Sequence, residues 1–600
     1  MVKSLEVDES VIQSLKGFVC SHEGLGLLKK DRVIYRKKNP KSPYYAVISG
    51  GGSGHEPLHA GFVGENFLTA AVCGDVFASP STKQILNAVK LANKDENCKG
   101  VLLIAKNYTG DVLHFGLTSE RARSLGINCE NLIIGEDVSV NSKFVGRRAL
   151  AGTALAHKLV SAIANTKAAE FELTDIVEFG NLVNKNMITI GAALDHCKVP
   201  GRKFESELKE NQMELGLGIH NEPGVETLEP IPSVHDLIKN KMLKRLFKEE
   251  GDDTSFVDIK PKDEILLLVN NLGGLSNFAI SSIVFTTLSL LKDNYDIKPK
   301  VVLAGTYVTA FNSPGFSLTL MNLSEINSVS NENYGIANVV DLLQMETDAA
   351  GWNSNFKCFT DDDLESLISD SNNKEEENVE DADSENLSKI GKIDYKRLNA
   401  ILKAGCENLK KAEPHITHLD SQVGDGDCGY TLVNGCNGIL ESLPKWEKND
   451  LTFSQLLHNL SEVIEESMGG TSGGLYSIFI SGCLSGLLEK TANSDNEVEL
   501  DSSLLANVLD NGLDVLFKYT KAREGDSTMI DALEPFIRTF KKSNGDFKAA
   551  YKEAEVGMKK TAEYRAKFGR ASYVGESSAN YADPGAVGVV EFLKGISEAL

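Results

Sequence analysis

The sequence predicts a multidomain protein in which an α/β region of two α/β subdomains is followed by an all-helical domain. Three observations predict it. Six hundred residues exceed what one hydrophobic core can organise. The first half alternates short apolar, β-branched runs with amphipathic stretches, whereas strand-like runs are almost absent from the last third. Between the two lies an acidic, Ser/Asn-rich stretch that cannot build a core.

The first set of candidate strands is YYAVIS (44–49), FLTAAV (67–72), GVLLIA (100–105), NLIIG (131–135) and MITIG (187–191). Stretches such as SPSTKQILNAVKLAN, between them, carry apolar residues at helical spacing. Continuous apolar runs alternating with helices predict a buried, largely parallel sheet. A second set follows: EILLLVNNLGG (264–274), a helix through 276–291, KVVLAGTYVTA (300–310) and FSLTLMNL (316–323). The apolar run 278–291, broken by Ser and Thr, reads as a buried helix rather than a membrane span.

Between residues 361 and 386 stand twelve acids and one lysine, nearly half of the net charge of −23. That composition is a solvated linker. The expected layout is an α/β domain at 1–355, a linker at 356–390 and a helical domain of seven or eight helices at 391–600. With 42% hydrophobic and 24% charged residues the composition is that of an ordinary globular protein, and no basic patch suggests nucleic acid. Ten cysteines without a C-x-x-C pair fit reduced thiols. With no apolar signal core at MVKSLEVDES, a cytoplasmic location and no membrane partner are expected.

The stretch LGLGIHNEPG (215–224), in the segment entering the second subdomain, isolates His220 between glycines and a Pro-Gly turn. The nearest His or Cys, at 196, 197 and 235, are too far along the chain for zinc-ligand spacing. His220 is therefore available as a base, a nucleophile or a hydrogen-bonding group. Strand YYAVIS runs into GGGSGHEP (50–57), where glycines free backbone N–H groups for a ligand and His55 stands beside them. The end of GVLLIAKNYTGDV places Lys106 and Asp111 at the carboxyl edge of a parallel sheet, where open α/β folds bind ligands. Taken singly, Lys106 could be a snorkelling surface residue and Asp111 a helix cap. Together these loops describe a small polar pocket.

In the helical domain HLDSQVGDGDCGYT packs Asp420, Asp425 and Asp427 within eight residues. Such crowding is repulsive unless a cation neutralises it, and hard oxygens in a short loop suit Mg²⁺. Three Gly-rich helix starts accompany it: SMGGTSGGLY (467–476), REGDSTMIDAL (523–533) with Gly525, Asp526 and Thr528, and ADPGAVG (582–588). Free N–H groups at helix starts bind phosphate.

Seven motifs in order, GGGSGHEP, KNYTGDV, GLGIHNEPG, DSQVGDGDCG, GGTSGG, EGDSTM and ADPGAVG, resemble the ATP-dependent dihydroxyacetone (glycerone) kinases with both domains on one chain. The resemblance spans nearly the whole chain. It implies an α/β substrate domain and a helical-barrel nucleotide domain. It implies that His220 forms a covalent hemiaminal with the substrate carbonyl, so that a ketone or aldehyde is accepted and glycerol is not. By the same resemblance Gly51, Gly52, Ser53, Gly54, Lys106 and Asp111 line the substrate pocket, His55 hydrogen-bonds the substrate, and Asp111 accepts the proton of the attacking hydroxyl.

For the helical domain the resemblance implies ATP held by Asp427, Cys428, Gly429, Tyr430, Gly470, Thr471, Ser472, Thr528, Met529, Arg570, Asp583, Pro584 and Gly585. Asp420, Asp425 and Asp427 would bind two Mg²⁺ ions. A homodimer is expected by resemblance alone. The implied reaction is transfer of phosphate from ATP to dihydroxyacetone, with D-glyceraldehyde as a further substrate. Two other readings stay open: a lyase that splits FAD to a cyclic flavin phosphate, and a non-catalytic carbonyl-sensing regulator, which the intact aspartate triad disfavours.

Overall fold

The computed structural model describes residues 11–140, 146–199, 208–247, 255–353, 356, 358, 387, 389–491, 498–568 and 580–600. The chain divides into two compact units, Met1–Asn372 and Asn373–Leu600.

The first unit opens with α1 (Val11–Cys20) and the hairpin β1 (Leu25–Leu28), β2 (Val33–Arg36). There follow β3 (Tyr44–Ser53), β4 (Ala70–Val76), α2 (Thr82–Ala92), β5 (Cys98–Lys106), α3 (Thr109–Ser124) and β6 (Cys129–Ile134). They form one sheet, β1-β2-β4-β3-β5-β6, in which the last four strands are parallel and the hairpin adds an antiparallel edge. Alternate residues of a strand face opposite sides. Tyr44, Ala46 and Ile48 accordingly pack with Ile85, Val89 and Phe115 of α2 and α3. Tyr45 and Val47 pack with Leu155 and Leu159 of α4 (Gly152–Thr166) on the other side. With helices on both faces, every residue of β3 is buried.

MITIG departs from the expectation. It forms β7 (Met187–Ala193), after α5 (Leu173–Lys185), and joins a second sheet with β8 (Met213–Leu215) and β9 (Glu226–Leu228). The helical stretch α6 (Val234–Leu237) continues through a π turn (Ile238–Met242) into α7 (Leu243–Leu246). Then come β10 (Ile265–Asn271), α8 (Asn277–Tyr295), β11 (Val301–Gly305), β12 (Gly315–Asn322), α9 (Leu323–Tyr334) and α10 (Val340–Gln344). The order is β11-β10-β12-β7-β8-β9, and only the β10–β11 pair is parallel. The parallel arrangement therefore holds for the first sheet and not the second. An apolar run reports burial, not strand direction, and the partner of β7 is β12, far downstream.

Helix α4 is buried from Gly152 through Asn165 and packs on β3 of one sheet and β7 of the other. The helix expected to be buried, α8, hides one face only: Ile280, Ile283 and Leu291 are inside, while Phe278 and Phe285 are 87% and 54% exposed.

The second unit has, among the described residues, eight α-helices: α11 (Tyr395–Val423), α12 (Cys428–Lys448), α13 (Phe453–Met468), α14 (Gly470–Thr491), α15 (Ser502–Tyr519), α16 (Ile530–Lys542), α17 (Phe547–Lys560) and α18 (Pro584–Ala599). Each packs on its sequence neighbours and α18 closes on α11, making a barrel. Its interior is apolar, with a cavity of about 280 Å³ lined by residues such as Leu432, Ile464, Phe479 and Phe592. Helix α14 is long and apolar enough to cross a membrane by length and composition, yet Ile480, Cys483 and Leu487 bury its inner side in this barrel. The acidic stretch 356–390 lies almost wholly outside the described residues.

Candidate active site

The carboxyl ends of β3 and β5 lie side by side in the parallel part of the first sheet. Lys106 ends β5 and is fully buried, its Nζ 3.8 Å from Oδ2 of Asp111 in the first turn of α3. Asp111 is 2% exposed and accepts the hydroxyl hydrogen of Ser79. Neither residue is a surface group or a cap. Burial lowers the Lys106 pKa, while the charges of Asp111 and Glu222 oppose the shift.

After β3 the chain turns at Gly54, whose φ of +102° suits glycine, and delivers His55 into the interior. His55 Nδ1 lies 2.8 Å from the Thr309 carbonyl. A carbonyl only accepts, so Nδ1 carries the hydrogen and Nε2 is a bare acceptor. Burial holds the His55 pKa well below its ordinary value, so the ring is neutral. Of the glycine loop, Gly51 faces Lys106 and the neighbouring His59: an added Cβ would meet Lys106 Cε at 3.0 Å. Gly52 packs on Phe77 and Ala78, and the Ser53 hydroxyl donates to the Gly74 carbonyl at 2.9 Å.

His220 sits in the connection between β8 and β9, inside the second subdomain rather than on the way into it. Arg148, paired with Asp137 at 2.7 Å, donates to the Gly216 carbonyl at 2.6 Å and pins this loop. Asn221 takes a positive φ of 64°, which folds Glu222 back over the histidine. One Glu222 oxygen lies 2.9 Å from His220 Nδ1 and the other accepts the backbone N–H of His220. Burial works to raise the Glu222 pKa, but the bonds and charge of His220 outweigh it and hold the carboxyl at about 2. Glu222 is thus an ionised acceptor, His220 Nδ1 is the donor, and Nε2 keeps its lone pair. Burial also lowers the His220 pKa, against the opposing bond to Glu222. The ring stands edge-on to those of Tyr108 (4.5 Å), His55 (4.6 Å) and Phe77 (5.3 Å). Lys106 Nζ is 5.2 Å from the Tyr108 ring. The structure therefore brings His220, His55, Lys106 and Asp111 together around Tyr108 and Gly51.

In the helical unit Asp420, in the last turn of α11, and Asp425 and Asp427, in the following turn, offer ligand oxygens all within 4.8 Å of one another. Oδ2 of Asp420 accepts the N–H groups of Asp427 and Cys428 at 2.8 and 3.0 Å. That leaves hard carboxylate oxygens facing outward, a donor set that fits Mg²⁺. Burial keeps the Cys428 thiol above its ordinary range, so it offers no thiolate. The triad opens on a cleft of about 910 Å³. Gly470, Thr471 and Ser472 at the start of α14, Thr528 and Met529 before α16, and Asp583, Pro584 and Gly585 at the start of α18 all line it, as do Asp427 and Cys428. Asp583 caps α18 through the Ala586 N–H at 2.7 Å. Its burial, with the charges of Asp531 and Asp420 close by, raises its pKa to about 7.

Gly429 and Tyr430 are not among the residues lining the cleft. Gly429 packs on α11, where an added Cβ would meet Thr417 Oγ1 at 2.2 Å, and Tyr430 is 60% exposed. A helix turns about 100° per residue, so the two residues after Cys428 leave the face that it shares with Asp427. Asp526, read with the phosphate-loop residues, is committed to Lys567 at 2.6 Å and to the Arg523 N–H at 2.9 Å. Arg570 lies outside the described residues.

Comparison with known proteins places this geometry. The Dak1 domain family matches residues 16–349 and the DAK2 domain family residues 422–598. Dihydroxyacetone kinase 1 of Saccharomyces cerevisiae is 51% identical over 608 residues, covering all of both chains. The human triokinase/FMN cyclase is 35% identical, covering 98% of this chain and 97% of its own. The chain belongs to the dihydroxyacetone kinase family. Its fold follows that of the crystal structure of the C. freundii dihydroxyacetone kinase in complex with AMP-PNP and Mg²⁺, at a TM-score of 0.60 and 28% identity over the full length of both. It is an ATP-dependent kinase with its α/β and helical domains on one chain.

Several residues of this family member escaped sequence reasoning. Glu222 stands two places after His220, but only the fold-back at Asn221 turns it onto the ring. Tyr108 stands inside KNYTGDV with nothing in the spacing to mark it, and Phe77, Ser79 and Thr309 carry no motif of their own and reach the site through the packing of their elements. Lys567, Tyr476 and Tyr519 line the helical cleft from helices and loops far apart in sequence.

Proposed function

We propose that this dihydroxyacetone kinase holds its substrate by a reversible covalent bond to His220 while ATP in the helical cleft supplies the phosphoryl group. The observation that carries the reading is the His220 ring, neutral, protonated on Nδ1 towards Glu222 and bare at Nε2. The Nε2 lone pair adds to the carbonyl carbon, and the C=O double bond becomes a single bond as its electron pair moves to oxygen. The net proton movement is from Nδ1, where Glu222 accepts the hydrogen bond, to that oxygen. An alcohol offers no such carbon, so glycerol is refused by chemistry, whereas D-glyceraldehyde is captured like dihydroxyacetone.

His55 Nε2, an acceptor with no hydrogen-bond partner among the described residues, takes a hydrogen bond from the substrate. Asp111 accepts the proton of the hydroxyl to be phosphorylated, and Lys106 holds that carboxylate in place. In the helical cleft the N–H groups at Gly470–Ser472 and before Ile530 cradle the phosphates, with Pro584 and Gly585 lining the cleft beside them. Asp420, Asp425 and Asp427 hold two Mg²⁺ ions, which neutralise charge on the transferred group when bound. The reading includes a cytoplasmic homodimer; the cytoplasmic part draws support from ten cysteines that are all free.

The test is His220→Ala assayed with dihydroxyacetone, ATP and Mg²⁺. Loss of detectable phosphorylation is expected, and an undiminished rate overturns covalent capture. A second reading rests on the 35% identity to the human triokinase/FMN cyclase: the helical domain also splits FAD into AMP and a cyclic flavin phosphate. Incubation with FAD and Mn²⁺ decides it, because release of AMP that persists in His220→Ala supports the reading and absence of AMP ends it.

A further inference from the structure

Behind the pocket lies a buried chain of polar groups that the proposed reaction leaves unused. Ser49 of β3 donates its only hydroxyl hydrogen to the Ile104 carbonyl at 2.8 Å. The same oxygen lies 3.0 Å from Nδ1 of His59 and 3.0 Å from Nε2 of His157, on α4. Having given its hydrogen to Ile104, Ser49 can only accept from both rings, which fixes their tautomers. His59 carries its hydrogen on Nδ1 and presents a bare Nε2. All three side chains are buried, and His59 Nε2 has no hydrogen-bond partner among the described residues.

Lys106 Nζ is likewise fully buried and makes no hydrogen bond among the described residues, its contact with Asp111 being an ion pair at 3.8 Å. His59 Nε2 and Lys106 Nζ each lie 3.2 Å from the point where a Cβ on Gly51 would sit. An acceptor and an ammonium, neither with a hydrogen bond among the described residues, thus border the same gap that glycine leaves. Two buried unsatisfied groups on one gap are costly unless they serve each other.

We infer that His59 is a positioning residue for the phosphoryl-transfer reaction. Its Nε2 accepts a hydrogen bond from the Lys106 ammonium, directly or through one bridging water, and so fixes the ammonium beside Asp111. The Ser49–His157 pair behind it keeps the hydrogen off Nε2, because an Nε2–H would oppose the ammonium. The groups facing Lys106 are Asp111 on α3, Glu222 and His220 on the β8–β9 loop, His55 and His59 after β3, His157 on α4, and the Tyr108 ring. Among them Asp111, Glu222, the Tyr108 ring face and the bare His59 Nε2 favour a charged lysine. The inference rests on the pocket assigned above.

The test compares His59→Asn and His59→Gln in the full-length enzyme. Asparagine keeps a donor at the position of Nδ1, preserving the link to Ser49, but ends short of Lys106. Glutamine carries an amide oxygen to the position of Nε2 and gives up the Ser49 link. The expected result is a kcat/KM for dihydroxyacetone at least tenfold lower in H59N than in H59Q, with the alkaline limb of the pH profile moved to lower pH in H59N. Ser49→Ala, which frees the tautomer, should fall with H59N. Equal losses in the two His59 variants, or H59Q the worse, would mean a merely structural role and overturn the inference, as would an unmoved alkaline limb. An active His220→Ala would instead sink covalent capture, and the order of the His59 variants would still be read.

Discussion

Glu222 grips His220 twice, through Nδ1 at 2.9 Å and through the backbone N–H of the same residue. A residue two places along the chain therefore decides both where the ring points and which nitrogen is bare. Exchange of the carboxylate for an amide tests this directly. Glu222→Gln can offer an N–H to Nδ1 and so stabilise the tautomer with hydrogen on Nε2, which has no lone pair to add to a carbonyl. A loss in kcat/KM of up to about 10⁴-fold is expected, the size of the kcat drop seen when a tautomer-fixing carboxylate becomes an amide. Steady-state kinetics with dihydroxyacetone check it, and an unchanged thermal midpoint shows that the fold is intact.

The acid limb of the reaction follows from the same ring. Burial places the His220 pKa below its ordinary value of 6.5, so the neutral imidazole that covalent capture requires persists below that pH. The profile of kcat/KM against pH should stay flat from neutrality past pH 6.5 and bend only beneath it. A bend centred above pH 6.5 would contradict the buried, neutral imidazole.

His55, His59 and His157 are buried with pKa values held below 6.5, that of His157 at about 3. Unfolding lets them bind protons below pH 6.5, so their contribution to stability is present above that pH and is lost as pH falls. Between pH 6.5 and pH 5 the loss is about 2 kcal/mol for each imidazole. Glu136, pushed up to about 8 by burial, acts in the opposite sense over this range, as do Glu56 and Asp137, which burial also raises, against four imidazoles once His220 is counted. Denaturant unfolding at pH 7 and pH 5 should show the α/β unit losing stability at the lower pH, and His157→Gln should lessen the difference.

Gly51→Ala places a methyl group within 3.2 Å of both Lys106 Nζ and His59 Nε2. Displacement of a pocket group by a fraction of an ångström to an ångström costs up to about 10²-fold in rate. A drop in kcat/KM of roughly ten- to a hundred-fold is expected, without loss of nucleotide binding in the helical cleft. Kinetics and calorimetric titration with an ATP analogue separate the two.

Asp425 and Asp427 are exposed, whereas Asp420 is buried and accepts two backbone N–H groups. Asp425→Asn and Asp427→Asn should weaken Mn²⁺ binding, read by titration, by more than tenfold with little change in melting temperature. Asp420→Asn should weaken binding and also lower the melting temperature, since an amide replaces a charged acceptor for both N–H groups.

How much of this was legible depended on whether the signal was local. Asp420, Asp425 and Asp427 fall within eight residues, and His55 adjoins its glycines, so their chemistry shows in the chain itself. Lys106 and Asp111 are five residues apart across a strand end and were equally visible. Ser49, His59 and His157 form one network only because α4 is laid against β3, and no spacing in the sequence announces that packing. The same limit explains β7: its apolar residues promise burial, but its antiparallel partner β12 is chosen by the tertiary fold. Gly429 and Tyr430 show the opposite case, where a motif continues past the residues that face the site because the helix rotates them away.

The His55 ring owes its proton placement to the carbonyl of Thr309, which belongs to the segment after β11, while its own backbone leaves β3 of the other sheet. The Gly54 carbonyl and the Phe311 N–H join the same two segments at 2.8 Å. The seam between the halves of the α/β unit is thus written into an imidazole of the candidate pocket. Any loosening of one half against the other would be felt first as a misplaced hydrogen on His55, long before either sheet came apart.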